Sequence, residues 1–99
     1  MSHIQTVAEI QDKLTPVFDA YGVNSAILFG SIAKGTATEN SDLDLLVDSG
    51  LKGLRFVGLI EAVRSAVLLP IDLLDVTHIE KGSLIDREIQ MTGVKIYEK

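Results

Sequence analysis

Ser25-Ala26-Ile27-Leu28-Phe29-Gly30-Ser31-Ile32-Ala33-Lys34-Gly35, followed by Ser41-Asp42-Leu43-Asp44-Leu45-Leu46-Val47-Asp48, carries most of the information in this chain. The apolar run from Ser25 to Phe29 is too short for a helix and is bounded by Asn24 and Gly30, so it predicts a buried strand. From Gly30 to Ser41 the residues are small and polar, too irregular for a strand and too rich in Gly, Thr and Asn for a long helix. A Gly-Ser pair leaving a buried strand either makes an ordinary tight exit or opens a short helical turn. In the second case its amides, helped by the Ser31 hydroxyl, face an anion. The loop is not a P-loop, because Thr36 stands directly after Gly35 where that motif needs Lys. Asp42-Leu43-Asp44 begins a second strand, and the two-residue period puts both carboxylates on one face. Their mutual repulsion is tolerable on a solvated face, or where a divalent cation neutralises it.

Further along the chain, Ile71-Asp72-Leu73-Leu74-Asp75-Val76 reads as a third strand, and a carboxylate at Asp72 is expensive to bury without a partner. Asp75 falls on the opposite face from Asp72, so only one of them can join Asp42 and Asp44; Asp72, at the strand's start, is the better candidate. Upstream, Ile4, Val7, Ala8, Ile10, Leu14, Val17 and Phe18 recur at helical spacing, which predicts an amphipathic helix over 4–21 closed by Gly22. Pro16 predicts a kink or a restart with Thr15 as N-cap. Ser49, Gly50 and Gly53 turn the chain into a helix over 54–69 that Pro70 ends. A last helix over 84–91 and a strand over 94–97 complete the order α-β-loop-β-α-β-α-β, an α/β class with one sheet and helices packed on it. His3, near the terminus, and His78, in a loop, read as surface residues.

The 99 residues predict a single domain over 1–99, and 46% hydrophobic against 23% charged residues is a folding composition. No cysteine is present, so disulfides, thiolate metal sites and thiol nucleophiles are excluded. Fourteen acidic against nine basic residues give a net charge of −5, the wrong sign for gripping duplex nucleic acid. A nucleotide is still admissible if divalent cations lie between the two. No apolar run approaches the ~20 residues of a membrane span, and the Met1-Ser2-His3-Ile4 start is no signal-peptide core, so a cytoplasmic protein is expected.

Gly30-Ser31, ten intervening residues, Asp42-x-Asp44 in a hydrophobic strand, and a third acid in Ile71-Asp72-Leu73 together resemble the nucleotidyltransferase superfamily related to DNA polymerase β. The chain looks most like the minimal nucleotidyltransferase (MNT) branch, and the ending Gly93-Val94-Lys95-Ile96-Tyr97-Glu98 is also similar. The resemblance implies a mixed sheet of about four strands. It also implies attack of a hydroxyl on the α-phosphorus of an NTP, with ATP as donor and release of pyrophosphate. By the same resemblance, Asp42, Asp44 and Asp72 form the catalytic set and hold Mg²⁺, two ions in all. Asp72 acts as ligand or as base, and Gly30, Ser31 and Lys34 meet the phosphates. One departure is Lys34, where the family usually has Arg: the charge is kept but the planar fork is lost.

Larger members of the superfamily carry a further domain for the acceptor, so the resemblance implies that a second subunit or a partner supplies it, in a homo- or hetero-oligomer. MntA-type members of the branch are antitoxins paired with HEPN-domain toxins, and some add AMP to a tyrosine of the toxin. A binder that neutralises its partner by contact alone, and transfer to a small molecule such as an aminoglycoside, are the alternatives.

Overall fold

The structure, a computed structural model, describes residues 5–38 and 40–99. Helix α1 (Val7–Tyr21) starts at Thr6, whose hydroxyl accepts from the Glu9 amide at 3.2 Å while the Thr6 amide donates to Glu9 Oε1 at 3.0 Å. This reciprocal cap starts the helix inside the expected range, whose first residue, Ile4, lies outside the described residues, as does His3. The restart expected at Pro16 does not occur. The helix runs through it, and Thr15 is no N-cap, since its hydroxyl donates back to the Gln11 carbonyl at 2.8 Å. Pro16 is exposed, while Ile10 and Leu14 before it and Phe18 after it are fully buried, so packing on both sides outweighs the one missing backbone bond. Gly22, left-handed at φ 68°, closes α1 as expected.

Strand β1 (Ser25–Phe29), the one-turn helix α2 (Ser31–Lys34), β2 (Leu43–Asp48), α3 (Leu54–Val67), β3 (Ile71–Asp75), a 3-10 turn (Val76–His78), α4 (Leu84–Thr92) and β4 (Val94–Glu98) follow. Two expected ends move inward: α3 stops at Val67 with a left-handed cap on Leu68, and β3 stops at Asp75, which caps the 3-10 turn. His78 is exposed as expected, but on that turn rather than in a loop.

The four strands form one mixed sheet in the order β3-β2-β1-β4. β1 runs antiparallel to β2 and β4, whereas β2 and β3 are parallel because α3 carries the chain across between them. Period-2 alternation divides the sheet into two faces. Ala26, Leu28, Leu43, Leu45, Val47 and Leu73 turn towards α1 and α3, where Ile10, Leu14, Phe18, Leu59, Val63 and Val67 complete the main core. The other face holds a smaller cluster of Phe29, Leu46 and Ile89, the last from α4. No helix among the described residues is long and apolar enough to cross a membrane.

Candidate active site

The pleat that sends Leu43, Leu45 and Val47 into the main core sends Asp44 to the α4 side of β2. In register, Asp44 stands opposite Phe29 of β1 on one flank and Asp72 of β3 on the other. Paired residues on neighbouring strands share a face, so Asp44 and Asp72 are side by side although they are distant in the chain. Asp42 lies one pleat earlier, just before β2; Asp42 and Asp72 are exposed and Asp44 is half-buried. The structure therefore brings the three acids to one end of one face. Asp75 points the other way, as its odd spacing from Asp72 predicted.

Burial raises the Asp44 pKa above the usual carboxylate value, and the negative fields of Asp72, Asp42 and Glu88 add to the rise in that order. Asp44 is thus a carboxylate under repulsion from three others, with oxygen donors throughout. That is the donor chemistry a hard divalent cation takes, and such a cation would relieve the repulsion. Among the described residues no three His, Cys, Asp or Glu side chains are already closed into a metal-holding group. The acids fit Mg²⁺ in donor chemistry, and the strand register puts Asp44 and Asp72 side by side.

Gly30 is the reason Asp44 can sit where it does. Its backbone has φ 80° and ψ −156°, and a Cβ there would lie 2.2 Å from Asp44 Oδ2. Any other residue would force the Asp44 carboxylate out of this position and would also be strained at this φ. Directly after Gly30 the chain turns into α2, where the Lys34 amide donates to the Gly30 carbonyl at 3.1 Å and left-handed Gly35 ends the turn. Of the two alternatives at Gly30-Ser31 the chain takes the helical turn, which starts beside the acidic cluster with first-turn amides that have no partner within the turn.

Two residues of α4, Glu88 and Thr92, complete the surroundings, and no sequence motif marks them. Thr92 Oγ1 accepts from the Gly30 amide at 3.3 Å and donates to the Glu88 carbonyl at 2.8 Å. Glu88 Oε1 lies 3.6 Å from Lys34 Nζ, both side chains being about half exposed. Their one sequence signal is the four-residue spacing, which puts 88 and 92 on one helix face; nothing local says that this face meets Gly30.

The family model described as "Polymerase beta, Nucleotidyltransferase" matches residues 12–99. Two Methanocaldococcus jannaschii proteins, both named as candidate protein adenylyltransferases, are similar in sequence. MJ1379 is 33% identical over 79 residues, covering 72% of this chain and 79% of its own length. MJ0435 is 41% identical over 44 residues, covering 44% of this chain, and the match spans only 47% of that relative. Among solved structures, a chain of a toxin–antitoxin complex with AMP-PNP superposes with a TM-score of 0.75 at 22% identity, over 90% of this chain and 73% of that one. The Shewanella oneidensis complex of a tri-AMPylated HEPN toxin with an MNT antitoxin gives a TM-score of 0.70 at 16% identity, over 95% of this chain and 74% of that one. At such identities the structural likeness is one of fold. A glycine that admits a repelled carboxylate, a helical turn beside it, and a family match over most of the chain agree: the chain belongs to the polymerase beta nucleotidyltransferase family.

Proposed function

We propose that this nucleotidyltransferase is a Mg²⁺-dependent adenylyltransferase that moves AMP from ATP to a hydroxyl of a protein partner, a tyrosine of a HEPN toxin, and so acts as an antitoxin. The observation that carries the chemistry is the registered pair Asp44–Asp72, with Asp42 one pleat away and Gly30 cut back to backbone against Asp44. The protein acceptor is supported by the adenylyltransferase names of the M. jannaschii relatives and by the AMPylated HEPN toxin of the Shewanella complex. Residues 1–99 then act as one catalytic domain, in the cytoplasm.

Asp42 and Asp44 would hold the metal, with Asp72 beside it at the attacking hydroxyl. When bound, Mg²⁺ supplies charge neutralisation at the triphosphate and at the entering and leaving oxygens. Ser31, through the α2 turn, and Gly30 orient the β- and γ-phosphates, and Lys34 adds positive charge there. Asp72 is exposed on its strand, open to an incoming acceptor, and takes the hydroxyl proton. The acceptor oxygen bonds to the α-phosphorus, the bond to the β-phosphate bridging oxygen breaks, and pyrophosphate leaves.

The test incubates the chain with Mg²⁺, α-labelled ATP and its HEPN partner, beside an Asp42→Asn/Asp44→Asn control. Label should appear on the partner and fall by about 100-fold or more in the control. Tight binding with no label from any of the four NTPs would leave neutralisation by contact as the function. Equal labelling by the control would remove Asp42 and Asp44 from the site.

A further inference from the structure

The two nitrogen donors that the proposed function reserves for the triphosphate are already in contact with oxygens of α4. The Gly30 amide donates to Thr92 Oγ1 at 3.3 Å, and Lys34 Nζ faces Glu88 Oε1 at 3.6 Å. Both oxygens come from adjacent turns on one face of α4, and Thr92 Oγ1 also donates to the Glu88 backbone carbonyl at 2.8 Å. Each contact is of a kind that exchanges easily. The amide bond is at the long end of the normal range, and an ion pair whose side chains are 46% and 45% exposed is only weakly held. Each also offers the donor what a phosphate would offer, an oxygen in one case and an anionic oxygen in the other.

We propose that the last two turns of α4 are a placeholder for the triphosphate: Glu88 and Thr92 hold Lys34 and the Gly30 amide in the nucleotide-free protein, and phosphate oxygens replace them. This rests on the nucleotide-binding reading of the site. Lys34 is thereby kept beside Glu88 rather than ranging freely, at the cost of a competitor that every incoming nucleotide displaces. Glu88 is then a positioning residue that lowers nucleotide affinity through Lys34, not through its charge alone.

Equilibrium binding of ATP with Mg²⁺, measured by titration calorimetry on the full chain, separates these. Glu88→Gln should tighten ATP binding by about fivefold, the most that a half-exposed pair supports. The same change made in a Lys34→Gln background should give a clearly smaller gain, because no amine is left to release. Thr92→Val, nearly isosteric, should also tighten binding, since it leaves the Gly30 amide unpartnered until the phosphate arrives. An equal gain in both Lys34 backgrounds would show simple charge repulsion and overturn the placeholder. So would weaker binding by Glu88→Gln or by Thr92→Val. If the unmodified chain bound no ATP, the nucleotide reading itself would fail and take the placeholder with it, an outcome distinct from binding without the gain.

Discussion

Asp72 and Asp75 sit three residues apart on β3 and end in opposite circumstances. Asp72 is exposed at the acidic cluster, while Asp75 is 4% exposed and accepts four hydrogen bonds. The donors are the Ser49 amide at 3.1 Å, the Ser49 hydroxyl at 2.6 Å, the Thr77 amide at 3.0 Å and the Thr77 hydroxyl at 2.7 Å. Burial on its own raises the pKa of Asp75. The donors from Ser49 and Thr77 outweigh it and hold the group down to about 2, against an ordinary value of 3.8. Because the folded value is the lower one, the ionised carboxylate contributes stability above about pH 4, and that contribution is lost as pH falls towards 2. The contribution is about 2 kcal/mol. Urea unfolding of the wild type and Asp75→Asn should therefore give a stability difference that shrinks by roughly this amount between pH 5 and pH 2. A difference that stays constant with pH would show that the Asp75 carboxylate is not held in this way. Period 2 was enough to put Asp75 on the opposite face of β3 from Asp72, and the structure makes that the core side. Its partners were not legible, because Ser49 lies beyond the end of β2 and meets Asp75 only through the parallel ladder.

At the level of elements, the helices and strands follow from local pattern, and the differences lie at their ends. Pro70 does stop α3, but earlier than its position suggests. The residue before a proline is driven to extended backbone, so Leu69 cannot be helical and the chain must leave the helix at Leu68. Leu68 takes the left-handed conformation at φ 58°, with its side chain 83% exposed and its amide donating to the Arg64 carbonyl at 2.8 Å. Left-handed backbone costs a side-chain-bearing residue about 1–2 kcal/mol, and glycine is the usual occupant of this position. Leu68→Gly loses little burial and should raise stability by about 1 kcal/mol, which is ~4–8 °C in Tm for a domain of this size. A fall in Tm on thermal unfolding would mean that Leu68 contributes packing its exposure does not suggest. Pro16 shows the converse. A strong local breaker inside α1 is overridden because the buried Ile10, Leu14 and Phe18 hold the helix to the sheet on both sides of it.

Taken as a whole, the molecule is built unevenly about its sheet. Among the described residues, one face is closed by α1 and α3, each with three buried residues, and the other by α4, whose buried residue is Ile89. Local stability should follow this difference. In amide hydrogen exchange, the central strands β1 and β2 should open only with global unfolding, while α4 exchanges through a lower-energy local opening. Protection of α4 equal to that of β2 would contradict this. The thinly covered face is also the one that carries Asp42, Asp44 and Asp72. An acidic cluster needs access to solvent and ligand, and a second pair of packed helices would close it off. By itself the sequence determined the order of the four strands and the three longer helices and the shared face of Asp42 and Asp44, while it left the form of the exit at Gly30-Ser31 open. It also determined the opposed directions of Asp72 and Asp75. All of these depend on backbone periodicity and on glycine chemistry within a few residues. Only the tertiary structure decided that Asp72 lies beside Asp44, that Gly30 makes room for the Asp44 carboxylate, and that Glu88 and Thr92 meet Lys34 and Gly30. Those contacts depend on strand register and on how α3 and α4 pack across the sheet, which bring together groups that no local pattern relates.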